Sequence, residues 1–206
     1  MTFSSSERKA LAQSLLDKGP DAPTLCEGWT TRDLAEHLRD REQLPLSKLR
    51  SLVPIGGGDE QPEAGSYEDV VRNWAAGPSG LNPWRVLDRV ANGVEHFVHH
   101  EDVRRGALAP GDPVDERELP EEHQRYLYRT LKLMAGRVIK SDRPVILAPE
   151  GFERIIINEK PGVSADGEAV IRISGGVGEF VLWAFGRDVV NLEVSGDDSS
   201  VKRLNL

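Results

Sequence analysis

A single cysteine, Cys26, stands in 206 residues, which excludes an internal disulfide. Long apolar runs are missing as well: no window of the chain approaches the roughly 18 consecutive apolar residues of a membrane span. The start of the chain, Met1-Thr-Phe-Ser-Ser-Ser6, has neither the basic residues nor the apolar stretch of a signal peptide, so a cytoplasmic location is expected. Positive charge is not in excess either. A net charge of −8 argues against nonspecific affinity for nucleic acid or anionic lipid, so neither nucleic acid nor membrane is expected as a partner. Small molecules and protein partners remain, with the oligomeric state open. At 38% hydrophobic content the chain can bury one sizeable core or two small ones.

Helical punctuation fills the first part of the chain. Ser4, Ser5 or Ser6 can cap a helix carrying Leu11, Leu15 and Leu16, which ends near Gly19-Pro20. Thr30 with Asp33 three residues on is a capping-box-like start for a second helix bearing Leu34, His37, Leu38 and Arg41, which Pro45 kinks or ends. The stretch 55–65, glycine-rich and without periodic apolar residues, reads as a loop, and Ser66 with Asp69 starts a short helix through Trp74. Asn82-Pro83 opens a long helix to about Arg105, and Pro120-Glu121 opens another ending near Ile139.

Three of the five histidines fall within five residues of the long helix, in Glu95-His-Phe-Val-His-His-Glu-Asp102. Its apolar stripe is Trp84, Leu87, Ala91, Val94 and Val98; beside it runs a polar stripe of Asp88, Asn92, Glu95, His99 and Asp102. Positions four apart stack on one helix face, so Glu95 and His99 can converge on one metal ion. They can equally form an intrahelical ion pair, and the polar stripe can be a solvated edge. His96 and His100 are a rival pair about 100° further round the helix, less favoured than Glu95 with His99 and read as outer or surface residues. A metal needs a third ligand, for which His37 is the candidate, and Asp102 can orient a ligand imidazole or cap a helix.

After Ser141 the pattern changes to short β-branched segments, at 145–148, 153–157, 169–173 and 189–194, bounded by Pro, Gly, Asp or Ser. One short helix, Gly175–Phe185, lies between the last two. Gly175-Gly-Val-Gly178 lacks a preceding Rossmann pattern and the lysine of a P-loop, and reads as a turn feeding a helix cap. Cys26 reads as a small buried apolar residue, because no base stands next to it in sequence. The fold class expected is α+β: a helical bundle over 1–141, then a small α+β domain over 142–206.

Three blocks, Leu25-Cys-Glu-Gly-Trp-Thr-Thr-Arg-Asp-Leu-Ala-Glu-His-Leu38, Val94-Glu-His-Phe-Val-His-His-Glu-Asp-Val-Arg-Arg105 and Phe180-Val-Leu-Trp-Ala-Phe-Gly-Arg187, together resemble the actinobacterial branch of the DinB-like, mycothiol-dependent maleylpyruvate isomerase superfamily. The resemblance implies a DinB-like four-helix bundle, with a divalent metal held by a histidine of the second helix and a Glu-x-x-x-His pair of the third long one. By position these are His37, Glu95 and His99. Two imidazoles and one carboxylate leave coordination positions open, as at catalytic zinc sites. Zinc is the expectation on prevalence, since the same ligands suit nickel, iron, manganese or cobalt. The resemblance further implies a small-molecule thiol, mycothiol, and a small electrophilic substrate in isomerase or transferase chemistry. An arginine of the C-terminal domain, here Arg187, would bind a substrate carboxylate; a surface arginine is the equal alternative. A noncatalytic protein of the same fold that binds metal or a small ligand is the other functional reading.

Overall fold

The computed structural model describes residues 2–50, 65–77, 84–158 and 170–204, with the backbone path alone for 42–50 and 84–92. It contains two compact units, Met1–Ala107 and Leu108–Leu206. Among the described residues, the first holds four helices: α1 (Phe3–Lys18), α2 (Thr31–Arg50), α3 (Tyr67–Ala75) and α4 (Trp84–Arg104). The loop expected at 55–65 and the Asn82-Pro83 helix start fall outside the described residues, apart from Gly65.

Local chemistry accounts for the helix starts. Thr2 caps α1 by accepting from the Ser5 amide, so the serines expected as caps sit in the first turn instead. At α2 the capping box is reciprocal: the Thr30 amide donates to Asp33 Oδ2 at 2.8 Å, while the Asp33 amide reaches Thr30 Oγ1 at 3.4 Å. The same Thr30 contacts hold the Asp33 carboxyl below its ordinary range. Helix α2 continues to Arg50, so Pro45 does not end it. Ser66 caps α3 through the Asp69 amide, as its sequence indicates.

Leu11 and Leu15 of α1, Leu34 and Leu38 of α2, Val70, Val71 and Trp74 of α3, and Val103 of α4 pack into one core. The Tyr67 hydroxyl donates to the Leu15 carbonyl at 2.8 Å and ties α3 to α1. The polar stripe of α4 is not a solvated edge in its described part. From Val94 to Val103 nearly every side chain is buried, polar ones included, because α1 packs along one side of this helix while α2 and the loop before it close on another.

The second unit comprises α5 (Glu121–Val138), β1 (Val145–Pro149), β2 (Ile155–Ile157), β3 (Ile171–Gly175), α6 (Val177–Ala184) and β4 (Leu192–Ser195). The sheet order is β2-β1-β3-β4, with β1 and β3 parallel and both outer pairs antiparallel. Helix α5 packs on α6 and β2 through a face that includes Leu127, Leu131 and Ala135. It therefore belongs with the sheet, and the units divide at 107/108 where the sequence suggested 141/142. At the turn into α6, Gly175 has φ +148°, and a Cβ there would stand 2.8 Å from Leu192 Cδ2. Helix α6 is almost wholly apolar and buried, which makes it the centre of this unit. No described helix is long and apolar enough to cross a membrane.

Candidate metal centre

His37 of α2 and Glu95 and His99 of α4 each offer one ligand atom, and these atoms lie within 4.8 Å of one another. Two local features bring them together. The Thr30–Asp33 box fixes the register of α2, so that Leu34, Ala35 and Leu38 enter the core and His37 borders it. The four-residue spacing on α4 then stacks Glu95 under His99, with Glu95 Oε1 3.9 Å from His99 Nε2. The His37 and His99 rings meet edge to face at 5.9 Å.

The far side of the His99 ring is anchored. Nδ1 lies 3.0 Å from Oδ2 of Asp102, a residue with no exposed surface. A carboxylate accepts, so the proton sits on Nδ1 and the lone pair of Nε2 is directed toward Glu95 and His37. This is the tautomer a metal-binding histidine requires. Asp102 thus fixes the orientation of the His99 imidazole. Arg41, one turn after His37, ion-pairs with Glu95 through Nη1. Burial, reinforced by the nearby His99 and Arg41, pushes the His37 pKa below its ordinary value, which favours the neutral imidazole a metal needs.

The loop between α1 and α2 supplies two more neighbours. Thr24 exchanges hydrogen bonds with the Trp29 carbonyl and the Cys26 amide, and Leu25 N donates to Asp102 O at 3.1 Å. This places the partly exposed Trp29 ring 5.0 Å from the His37 ring and Cys26 Sγ 3.3 Å from Asp102 Oδ2. Cys26 is therefore not simply an apolar packing residue: it donates to a carboxylate far away in sequence. Gly106 allows the close approach of this loop to the end of α4. A Cβ at 106 would stand 2.0 Å from the Pro23 carbonyl oxygen. Gly106→Ala is expected to lower stability by about 1–3 kcal/mol, because backbone atoms rather than a flexible side chain must yield; an unchanged urea midpoint would contradict this packing.

His96 and His100 are not surface residues. Both are buried, on the side of α4 that α1 covers. His96 Nδ1 donates to the Ser4 carbonyl at 3.2 Å, and its ring meets Trp74 edge to face at 5.4 Å. His100 lies between Glu7 Oε2 at 3.3 Å and Ser14 Oγ at 3.0 Å. Glu7 is a buried acid that the sequence reading missed, although its spacing of four from Leu11 and of eight from Leu15 puts it on the core face of α1.

Burial, with the charge of Arg8 second, pushes the His96 pKa down to about 4. The unfolded chain, at about 6.5, then binds more protons between those two values. Stability is expected to be full above about pH 6.5 and to fall as the pH drops toward 4, by about 3 kcal/mol from this residue. Urea unfolding at pH 7 and pH 4.5 checks it: His96→Gln should lose less stability on acidification than wild type, and an equal loss would contradict the assignment.

Four helices with two imidazoles and a carboxylate converging between the second and fourth define a DinB-like helical unit. Residues 4–110 match the family described as mycothiol maleylpyruvate isomerase N-terminal domain, and the chain belongs to that family. The matched region coincides closely with the first compact unit. No curated protein and no solved structure gives a match.

Arg187 lies in the second unit, just beyond α6. It is 4% exposed and donates to the Phe185 carbonyl at 2.8 Å, so it is not the surface arginine of the alternative reading. Arg203, whose guanidinium reaches the Arg187 and Trp183 carbonyls and Asp188, holds the C-terminal segment over this turn.

Proposed function

We propose that this chain is a cytoplasmic, metal-dependent enzyme that uses a low-molecular-weight thiol, mycothiol by its family, in isomerase or transferase chemistry on a small electrophile. The observation that carries the reading is the convergence of His37, Glu95 and His99 within 4.8 Å, with His99 Nδ1 tied to Asp102. The donor set fits a divalent ion: two neutral imidazoles and one carboxylate, zinc first, with nickel, iron, manganese or cobalt as alternatives. When bound, such an ion supplies the Lewis acidity that makes a thiolate available at neutral pH.

The chain's own residues do the rest. His37, Glu95 and His99 would hold the ion, and three protein ligands would leave coordination positions for exogenous ones. Asp102 keeps the proton on Nδ1 of His99 and fixes the plane of its ring. Trp29 offers an apolar flank next to His37 for the body of a thiol or substrate. To Arg187 the family resemblance assigns the substrate carboxylate. Arg187→Ala should then leave metal content intact and reduce kcat/KM by about 10–100-fold, the loss of one charge-assisted hydrogen bond. Wild-type turnover in that variant would remove Arg187 from the mechanism.

Metal analysis of the native protein, followed by binding and turnover with mycothiol against other thiols and a panel of small electrophiles, tests the reading. One equivalent of metal with thiol-dependent turnover is expected. Metal and thiol binding without turnover across the panel would favour the noncatalytic reading of the same fold. Absence of both would overturn the metal-dependent function.

A further inference from the structure

Among the described residues, two potential donor groups share one histidine. His37, Glu95 and His99 form the first; Cys26, His99 and Asp102 form the second, again with ligand atoms within 4.8 Å of one another. They lie at opposite edges of the same ring. Nε2 of His99 faces Glu95, 3.9 Å away, while Nδ1 faces Asp102, 3.0 Å away. The two in-plane directions diverge, so one ion cannot use both nitrogens. Filling the second group would need Cys26 ionised and the proton removed from Nδ1.

Asp102 decides between the two roles. Its carboxylate is fully buried, and a single oxygen, Oδ2, accepts from both His99 Nδ1 and Cys26 Sγ, at 3.0 and 3.3 Å. A carboxylate oxygen has two lone pairs, enough for both donors. Charge-assisted bonds of this kind are the strong ones, and a buried carboxylate short of donors is costly. The thiol is also held in place from its own backbone: the Cys26 amide donates to Thr24 Oγ1 at 3.2 Å, and its carbonyl accepts from Trp29 N at 3.0 Å. The neighbouring Leu25 amide reaches the Asp102 carbonyl at 3.1 Å. Loop and helix end are thus fastened together around this one carboxylate.

We propose that Cys26 is a positioning residue for the metal centre: its thiol donates to Asp102, which orients His99, and Cys26 is not itself a metal ligand. The proposal rests on the metal-dependent reading given above. It gives the loop before α2 a role at the metal through a relay of two hydrogen bonds. It also separates this protein's own thiol from the exogenous thiol of the reaction, since Cys26 serves as a donor rather than as a nucleophile.

The test is cobalt(II) and zinc(II) titration of the full chain, as wild type and as Cys26→Ala, Cys26→Ser, Asp102→Asn and His37→Ala, with circular dichroism as a control for folding. Wild type should bind one ion, and His37→Ala should weaken it. Asp102→Asn should lose about 10–100-fold in affinity, as outer partners of ligand histidines do, and Cys26→Ala, one bond further out, roughly three- to tenfold. Cys26→Ser, which keeps a donor at the same place, should restore affinity to near wild type. The cobalt spectrum should show no sulfur-to-cobalt charge-transfer band in the near ultraviolet. A band that disappears in Cys26→Ala would make Cys26 a ligand and overturn the proposal. So would wild-type affinity in Cys26→Ala, or a Cys26→Ser variant that binds as weakly as Cys26→Ala. If Cys26→Ala fails to fold, the spectrum of wild type and the affinity of Cys26→Ser still decide. Absence of ion binding by wild type would instead bring down the metal reading itself, and this proposal with it.

Discussion

His99→Ala lowers affinity for zinc or cobalt by about a hundredfold or more, whereas His96→Ala leaves it close to wild type. Structural zinc sites with four ligands bind with about 10–16 kcal/mol, so one ligand is worth roughly 3 kcal/mol. The contrast between the variants is what gives the experiment its force, because the two histidines are three residues apart and both buried. His99 faces Glu95 and His37; His96 faces Ser4 and Trp74. His96→Ala should therefore cost stability, through a cavity between α1 and α4, without touching the metal. His99→Ala also costs stability, since it takes a donor from buried Asp102, by about 1–3 kcal/mol. Competition titration with a chelating dye separates the two effects, and an equal loss of affinity in both variants would mean that the other face of α4 holds the ion.

Glu101→Ala is expected to destabilise the protein by about 3–5 kcal/mol, the usual consequence of removing one partner from a buried ion pair. Glu101 is 1% exposed and accepts from Arg105 Nε at 2.7 Å, with Arg105 itself buried. Arg104 adds two bonds to the same carboxylate, at 2.8 and 2.9 Å. Taking away the acid leaves the Arg105 charge in the interior without this partner. Replacing both residues by methionine should recover much of the loss, because two apolar side chains avoid desolvating any charge. Urea unfolding of the single and double variants checks both statements. A single variant that loses less than about 1 kcal/mol would place this pair among surface ion pairs.

The family and the element order were readable because their signals are local. Thr30 with Asp33 and Ser66 with Asp69 mark helix starts within four residues, and Glu95 and His99 share a face by spacing alone. The β-branched segments after Ser141 overlap the four described strands, and the short helix expected between the last two is α6. What spacing could not reveal is the partner across the fold. Whether the polar stripe of α4 faces water or protein depends on α2 and the loop before it, which bring His37, Arg41 and Cys26 against Glu95, His99 and Asp102; the neighbouring face depends on α1, where Glu7 and Ser14 meet His100 from some ninety residues away. Cys26 and Asp102 are separated by 76 positions, and only the folded loop joins them. The amphipathic pattern of α5 likewise states that it has a buried face, not whether helices or a sheet cover it.

The central claim, that His37, Glu95 and His99 form a metal centre with open coordination positions, is tested most directly by X-ray absorption on the zinc- or cobalt-loaded protein without added thiol. The expected spectrum has only nitrogen and oxygen neighbours, at about 2.0–2.2 Å, with the outer-shell scattering of two imidazoles. Loss of one imidazole in His37→Ala would identify that ligand. A sulfur neighbour at about 2.3 Å, or imidazole scattering unchanged in His37→Ala, would contradict the account.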